Sequence, residues 1–176
     1  MDILVTREGQ IHVADWGSGP RRCAVGRGGV GEKLREGDGI TPIGKWPLRR
    51  VLYRADRIAA PRTALSLAAI EPDQAWCDVP DDPNYNRLVR LPYPSLDERL
   101  WRDDSLYDLI VVVGFNDSPP VAGKGSAFFL HLARPDYSPT AGCVALSYGD
   151  LVEAVEQLSP ADCLIVREAA SSPATS

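Results

Sequence analysis

Two side chains in this sequence have the types and spacing for covalent catalysis. They are His131 and, twelve positions on, Cys143 in Thr140-Ala141-Gly142-Cys143-Val144. A cysteine nucleophile needs an imidazole to take its proton, and amide N–H groups aimed at the oxyanion it creates. Such a cysteine is expected to have a depressed pKa, because a neighbouring imidazole favours the thiolate. Glycine directly before the cysteine leaves the backbone open to an approaching substrate. The same residues fit a plainer reading. A lone cysteine is most often a small buried apolar group, and a lone histidine at a strand end a hydrogen-bonded structural one. Spacing alone leaves both open. A zinc site from His12, Cys23, His131 and Cys143 fits less well, since structural zinc ligands come in local pairs. No metal and no cofactor is expected.

The elements that must position this pair can be read from the hydrophobic pattern. His131 falls near the end of a predicted strand over 126–132, and a stronger one, apolar on both faces and so central, covers 107–115. Ser147, with Asp150 three residues on, predicts a helix N-terminus; Leu151, Val155 and Leu158 repeat at helical spacing until Ser159-Pro160. Shorter strands are predicted over 3–6, 10–14, 23–25, 48–53 and 163–166, the first two joined by the turn Arg7-Glu8-Gly9. Gly26-Arg27-Gly28-Gly29-Val30-Gly31 lacks the ending of a phosphate loop and reads as a turn-rich connector. Residues 59–106 are irregular, with prolines at 61, 72, 80, 83, 92 and 94, and read as an insertion or lid. Residues 169–176 form a small-residue tail expected to be disordered, leaving one domain over 1–168.

Composition bounds the rest. The chain has 176 residues, the length of one ordinary domain with a real core. Its net charge of −5 argues against nucleic acid as a partner, because such surfaces are basic. Fifteen glycines and fifteen prolines, spread without a period, favour a loop-rich, mainly β domain over a helix bundle. The longest apolar run, Leu109-Ile110-Val111-Val112-Val113, is of strand length, so no integral membrane segment is expected, and no signal peptide is visible. Four cysteines permit two disulfides or four thiols. If Cys143 must stay free, at most one disulfide can form, among Cys23, Cys77 and Cys163.

Phe128-Phe129-Leu130-His131, followed by Thr140-Ala141-Gly142-Cys143-Val144-Ala145-Leu146, resembles the signature of the L,D-transpeptidase (YkuD-type) catalytic domain. Upstream, Gly37-Asp38-Gly39-Ile40-Thr41-Pro42-Ile43-Gly44-Lys45-Trp46 is similar to the same family's Gly-x-x-Thr-Pro-x-Gly segment. The resemblance implies a mainly β fold, a β-sandwich or mixed-β arrangement, with one α-helix in the C-terminal half and long irregular loops. It implies that Cys143 attacks a peptidoglycan stem peptide to form a thioester, with His131 as base. It further implies that the Leu132 carbonyl orients the imidazole and that the Gly142 and Cys143 amides serve the oxyanion. The acceptor would be the side-chain amine of diaminopimelate in a neighbouring stem. The donor would be a tetrapeptide or, in a proteobacterial branch with the Thr-x-Gly-Cys-Val-Ala-Leu motif, the L-alanine at the first position. No cofactor is implied, a monomer is favoured, and the site of action would be the periplasm.

Two positions depart from the family pattern: the polar residues two before and two after the cysteine are here Ala141 and Ala145. Arg134, in the loop between His131 and Cys143, is the nearest replacement, able to grip a diaminopimelate carboxylate. Thr140, Trp76, Tyr85, Asn86 and Trp101 are candidates to wall the stem-peptide groove. Two other functions compete. Water as acceptor would make the protein a cysteine peptidase or amidase, and loss of the polar positions would suit a non-catalytic cell-wall binding module.

Overall fold

The computed structural model describes residues 1–94 and 98–168, so the predicted tail at 169–176 lies outside the described residues. The chain is mainly β with one helix. Strands β1 (Ile3–Glu8), β2 (Ile11–Asp15) and β3 (Arg21–Ala24) open it, followed by the two-residue strands β4 (Val30–Gly31) and β5 (Thr41–Pro42). The long β6 (Gly44–Tyr53) leads to β7 (Ser66–Ala69), β8 (Gln74–Trp76), β9 (Leu88–Arg90) and β10 (Glu98–Arg99). Then come β11 (Leu109–Val113), β12 (Phe129–Leu132), β13 (Val144–Leu146), helix α1 (Tyr148–Gln157) and β14 (Cys163–Val166).

Nine strands form one sheet in the order β11-β12-β13-β3-β2-β1-β14-β6-β7. β11 also pairs with β6, so the hydrogen-bonded ladder returns to its start. The length of β6 makes this possible: its first four residues pair with β14 and the rest with β11. All five residues of β11 are buried, which is why this strand reads as a continuous apolar run.

Alternation sorts the strand residues between two cores. Leu109, Val111, Val113, Leu130 and Leu132 join the core that α1 covers with Leu151, Ala154, Val155 and its C-cap Leu158. Ile110, Val112 and Phe129, one residue out of phase, join a second core with Leu52, Ile70, Trp76, Leu100 and Tyr107. Cys143 belongs to this second core. Helix α1 starts as its sequence demands: Ser147 Oγ accepts the Asp150 amide (3.2 Å) and donates to the Asp150 carboxylate (2.6 Å).

The 59–106 segment is more regular than its sequence suggests. It carries β7, which extends the large sheet, and β8, β9 and β10, which form a small sheet of their own. Strands of two to four residues are too short to leave a periodicity. The predicted 126–132 strand also shrinks. Ala127 adopts φ +52°, which no extended strand tolerates, so β12 begins only at Phe129.

Candidate active site

His131 and Cys143 come to one face of the sheet through the register of β12 against β13. These strands run parallel and pair Leu130 with Val144 and His131 with Ala145. Side chains alternate, so Cys143, two residues before Ala145, projects on the His131 side. Standard strand spacing and rise put the two Cα atoms roughly 8 Å apart.

The loop between them, 133–142, is held by the glycine-rich connectors. Its end is fixed by Thr140 N–H donating to Val25 O (2.9 Å) and Arg27 N–H donating to Thr140 O (2.9 Å). Thr41 is fully buried; its hydroxyl accepts the Gly26 amide and donates to Gly142 O, both at 2.8 Å. Gly142 has φ +138°, and a Cβ there would lie 3.0 Å from Ile40 O. Both facts require glycine before the cysteine. Asp38 locks the same shelf, accepting from Lys33 Nζ (2.7 Å) and from the amides of Ile40 (3.0 Å) and Leu34 (3.0 Å). Desolvation works to raise this carboxyl. The Lys33 ammonium and the amides of Ile40, Leu34 and Arg35 outweigh it and hold it at about 2.

The electrostatics correct one expectation. Burial pushes the Cys143 thiol up to about 12 rather than down. Burial likewise pulls His131 down to about 4, against the opposing effect of its bond to Leu132. The resting pair is therefore a neutral thiol and a neutral imidazole. His131 Nδ1 lies 2.9 Å from Leu132 O, which requires the proton on Nδ1 and leaves the Nε2 lone pair free to accept another. Cys143 Sγ–H is donated to Ala127 O (3.2 Å).

Two cavities meet over this pair. One, of about 190 Å³, is lined by His131, Arg102, Arg134 and Ser138. The other, of about 200 Å³, is lined by Cys143, Gly142, Lys33, Glu36 and Asp78. Glu98, Tyr107 and Ala141 line both. Tyr107 Oη donates to Glu98 Oε1 (2.5 Å), while its ring sits edge-on to His131 with centroids 5.3 Å apart.

The remaining sequence-predicted residues divide. Arg134 stands exposed at the rim of the His131 cavity. Thr140 lines that cavity, but its hydroxyl donates to Cys143 O (2.7 Å) and accepts the Gly142 amide (3.1 Å). The hydroxyl thus staples the loop, and the Gly142 N–H is engaged rather than open to an oxyanion. The other four groove-wall candidates, Trp76, Tyr85, Asn86 and Trp101, line neither cavity. Trp76 packs edge-on against Phe129 and donates to Asn86 Oδ1 (2.9 Å). Asn86 also accepts the Ala127 amide (3.1 Å) and donates to Phe115 O and Asn116 O (2.9 and 2.8 Å). Tyr85 donates to Glu36, and Trp101 lies under the Arg54 guanidinium, 3.6 Å from its ring centroid. Each is engaged with a protein partner, Asn86 and Arg54 being buried and Glu36 half-buried. The four cysteines are free thiols.

Sequence reasoning missed Glu98, Tyr107, Arg102 and Lys33 in the cavity walls, and Thr41 and Asp38 beneath them. Thr41 and Asp38 stand inside the Gly37-to-Trp46 segment that resembles the family's, a signal that could have found them; nothing local marks the others. No curated protein and no solved structure matches this chain. A model of the L,D-transpeptidase catalytic domain (YkuD) matches residues 3–166, from the first residue of β1 to the last of β14. With that match spanning both motifs and the whole sheet, the chain belongs to the L,D-transpeptidase catalytic-domain family.

Proposed function

We propose that this protein crosslinks peptidoglycan stem peptides through a thioester on Cys143, with His131 moving the protons. The observation that carries the reading is the Nδ1 bond of His131 to Leu132 O, which leaves an unprotonated Nε2 on a residue that shares its sheet face with Cys143. Because both groups rest neutral, attack and proton transfer are coupled. Sγ leaves its bond to Ala127 O, attacks the donor carbonyl carbon, and gives its proton to Nε2. Collapse of the tetrahedral intermediate breaks the donor C–N bond. The departing amine takes the proton from His131, and the acyl group stays on sulfur. An acceptor amine then attacks the thioester and loses an N–H proton to His131; the C–S bond breaks and the thiolate recovers that proton. The acceptor is the side-chain amine of diaminopimelate, and the donor a tetrapeptide stem or the first-position L-alanine.

Residues 1–168 act as one catalytic domain in this reading, with 59–106 as the lid. Glu98, Arg102 and Leu106 reach the cavities from that segment. Among the described residues no helix is long and apolar enough to cross a membrane. The family resemblance supports an extracytoplasmic site of action. Purified protein incubated with diaminopimelate-containing muropeptides should yield dimers by mass spectrometry, and Cys143→Ala should yield none. Dimers from the Cys143→Ala protein would refute the thioester, while shortened monomers from the unaltered protein would mean hydrolysis.

A further inference from the structure

Glu98 is the one acidic residue that lines both cavities among the described residues. Its Oε1 is engaged by Tyr107 Oη, and its second oxygen has no hydrogen-bond partner among the described residues. No buried side-chain oxygen of the described residues lacks a hydrogen bond, so that second oxygen is open to the cavity. Glu98 is also close enough to Cys143 for its charge to oppose thiolate formation. A carboxylate there hinders the first half-reaction, in which sulfur gathers negative charge. It suits the second, in which a cation must arrive and lose a proton.

We propose that Glu98 receives the acceptor's ammonium over the Cys143 thioester and accepts one of its protons. The inference rests on the thioester reading above. In this step R–NH3+ gives a proton to the Glu98 carboxylate, forming R–NH2 and a neutral carboxylic acid. The amine nitrogen then bonds to the thioester carbon, the C–S bond breaks, and the remaining surplus N–H proton passes through His131 to sulfur. Glu98 returns its proton to solvent. Burial raises the Glu98 carboxyl above its ordinary range, against the Tyr107 hydrogen bond and the Arg102 charge, with Asp78 and Glu36 adding to the rise. This makes it a better proton acceptor than an exposed carboxylate. Arg27, Lys33, Arg102 and Arg134 are the cations lining the two cavities; Lys33 is paired with Asp38 and Arg102 with Asp104, and among the described residues none of the four forms an ion pair with Glu98.

The test separates the half-reactions in Glu98→Gln, whose amide oxygen still accepts from Tyr107. Intact-protein mass spectrometry with donor muropeptide alone should show the thioester in both proteins. Crosslinking to the diaminopimelate amine should fall on the order of 100-fold in the variant. Hydroxylamine, an amine already neutral at neutral pH, should discharge the variant's thioester at close to the unaltered rate. Glu98→Asp, which keeps the charge, should crosslink faster than Glu98→Gln. Unchanged crosslinking in Glu98→Gln, or equal losses with both amines, would overturn the role of Glu98. Absence of a thioester on the unaltered protein would instead overturn the parent reading, and this one with it.

Discussion

The two faces of β11 and β12 share one backbone and differ in what fills them. The face toward α1 is aliphatic and aromatic throughout, from Leu109 and Val111 to Leu130 and Leu132. The opposite face mixes Ile110, Val112 and Phe129 with Cys143 and His131, and is bordered by Tyr107 and Glu98. The inner face holds the strands in register by area buried; the outer face uses that register to bring together His131 and Cys143, the proposed base and nucleophile, beside two cavities. In the proposed reading, stability and chemistry are carried by alternate residues of the same strands.

Substitutions on each face should separate these roles. The largest effect is expected from His131→Gln, which removes the proton acceptor and should slow thioester formation by on the order of 1,000-fold, with little change in unfolding midpoint. A loss of stability as large as the loss of rate would erase the distinction. On the inner face, Leu130→Ala should cost about 2–5 kcal/mol in urea unfolding, since Leu130 is fully buried. The protein that remains folded should keep its rate of thioester formation. The smallest effect concerns the shelf under the outer face. Asp38 is held at about 2, below its unfolded value of 3.8, so its contribution is complete above the unfolded value and lost as pH falls through the folded one. That contribution is roughly 2 kcal/mol, and Asp38→Asn should flatten the dependence of the unfolding midpoint across that acid window. Equal flattening by Leu130→Ala would show that the dependence does not belong to the shelf.

The inner face was the more legible in sequence. Burial on both sides made β11 conspicuous, and the 3.6-residue spacing of Leu151, Val155 and Leu158 with the Ser147 cap located α1. On the outer face only the two motifs carried a local signal. Asn86 looks like a groove residue in sequence. Its partners, Phe115 O and the Ala127 amide, lie 29 and 41 positions away, so its work as an internal bolt is invisible before folding. Glu98 and Tyr107 are equally unmarked. Glu98 meets His131 and Cys143 because β10 is held in the small sheet of β8, β9 and β10, and Tyr107 because it stands just before β11. The thiol's raised pKa was missed for a related reason. Spacing identifies a possible partner for Cys143, but the desolvation that dominates its acidity comes from residues spread from Leu52 to Phe129.

The closing of the ladder has a consequence for when the molecule becomes a catalyst. β14, the last strand in the chain, lies between β1, the first, and β6. Thr41 grips a carbonyl 101 positions further along. An emerging chain can therefore neither complete the ring nor seat its cysteine until almost all of it is free to fold. A truncated or half-made copy carries the thiol and the imidazole but not the alignment that the proposed reaction needs.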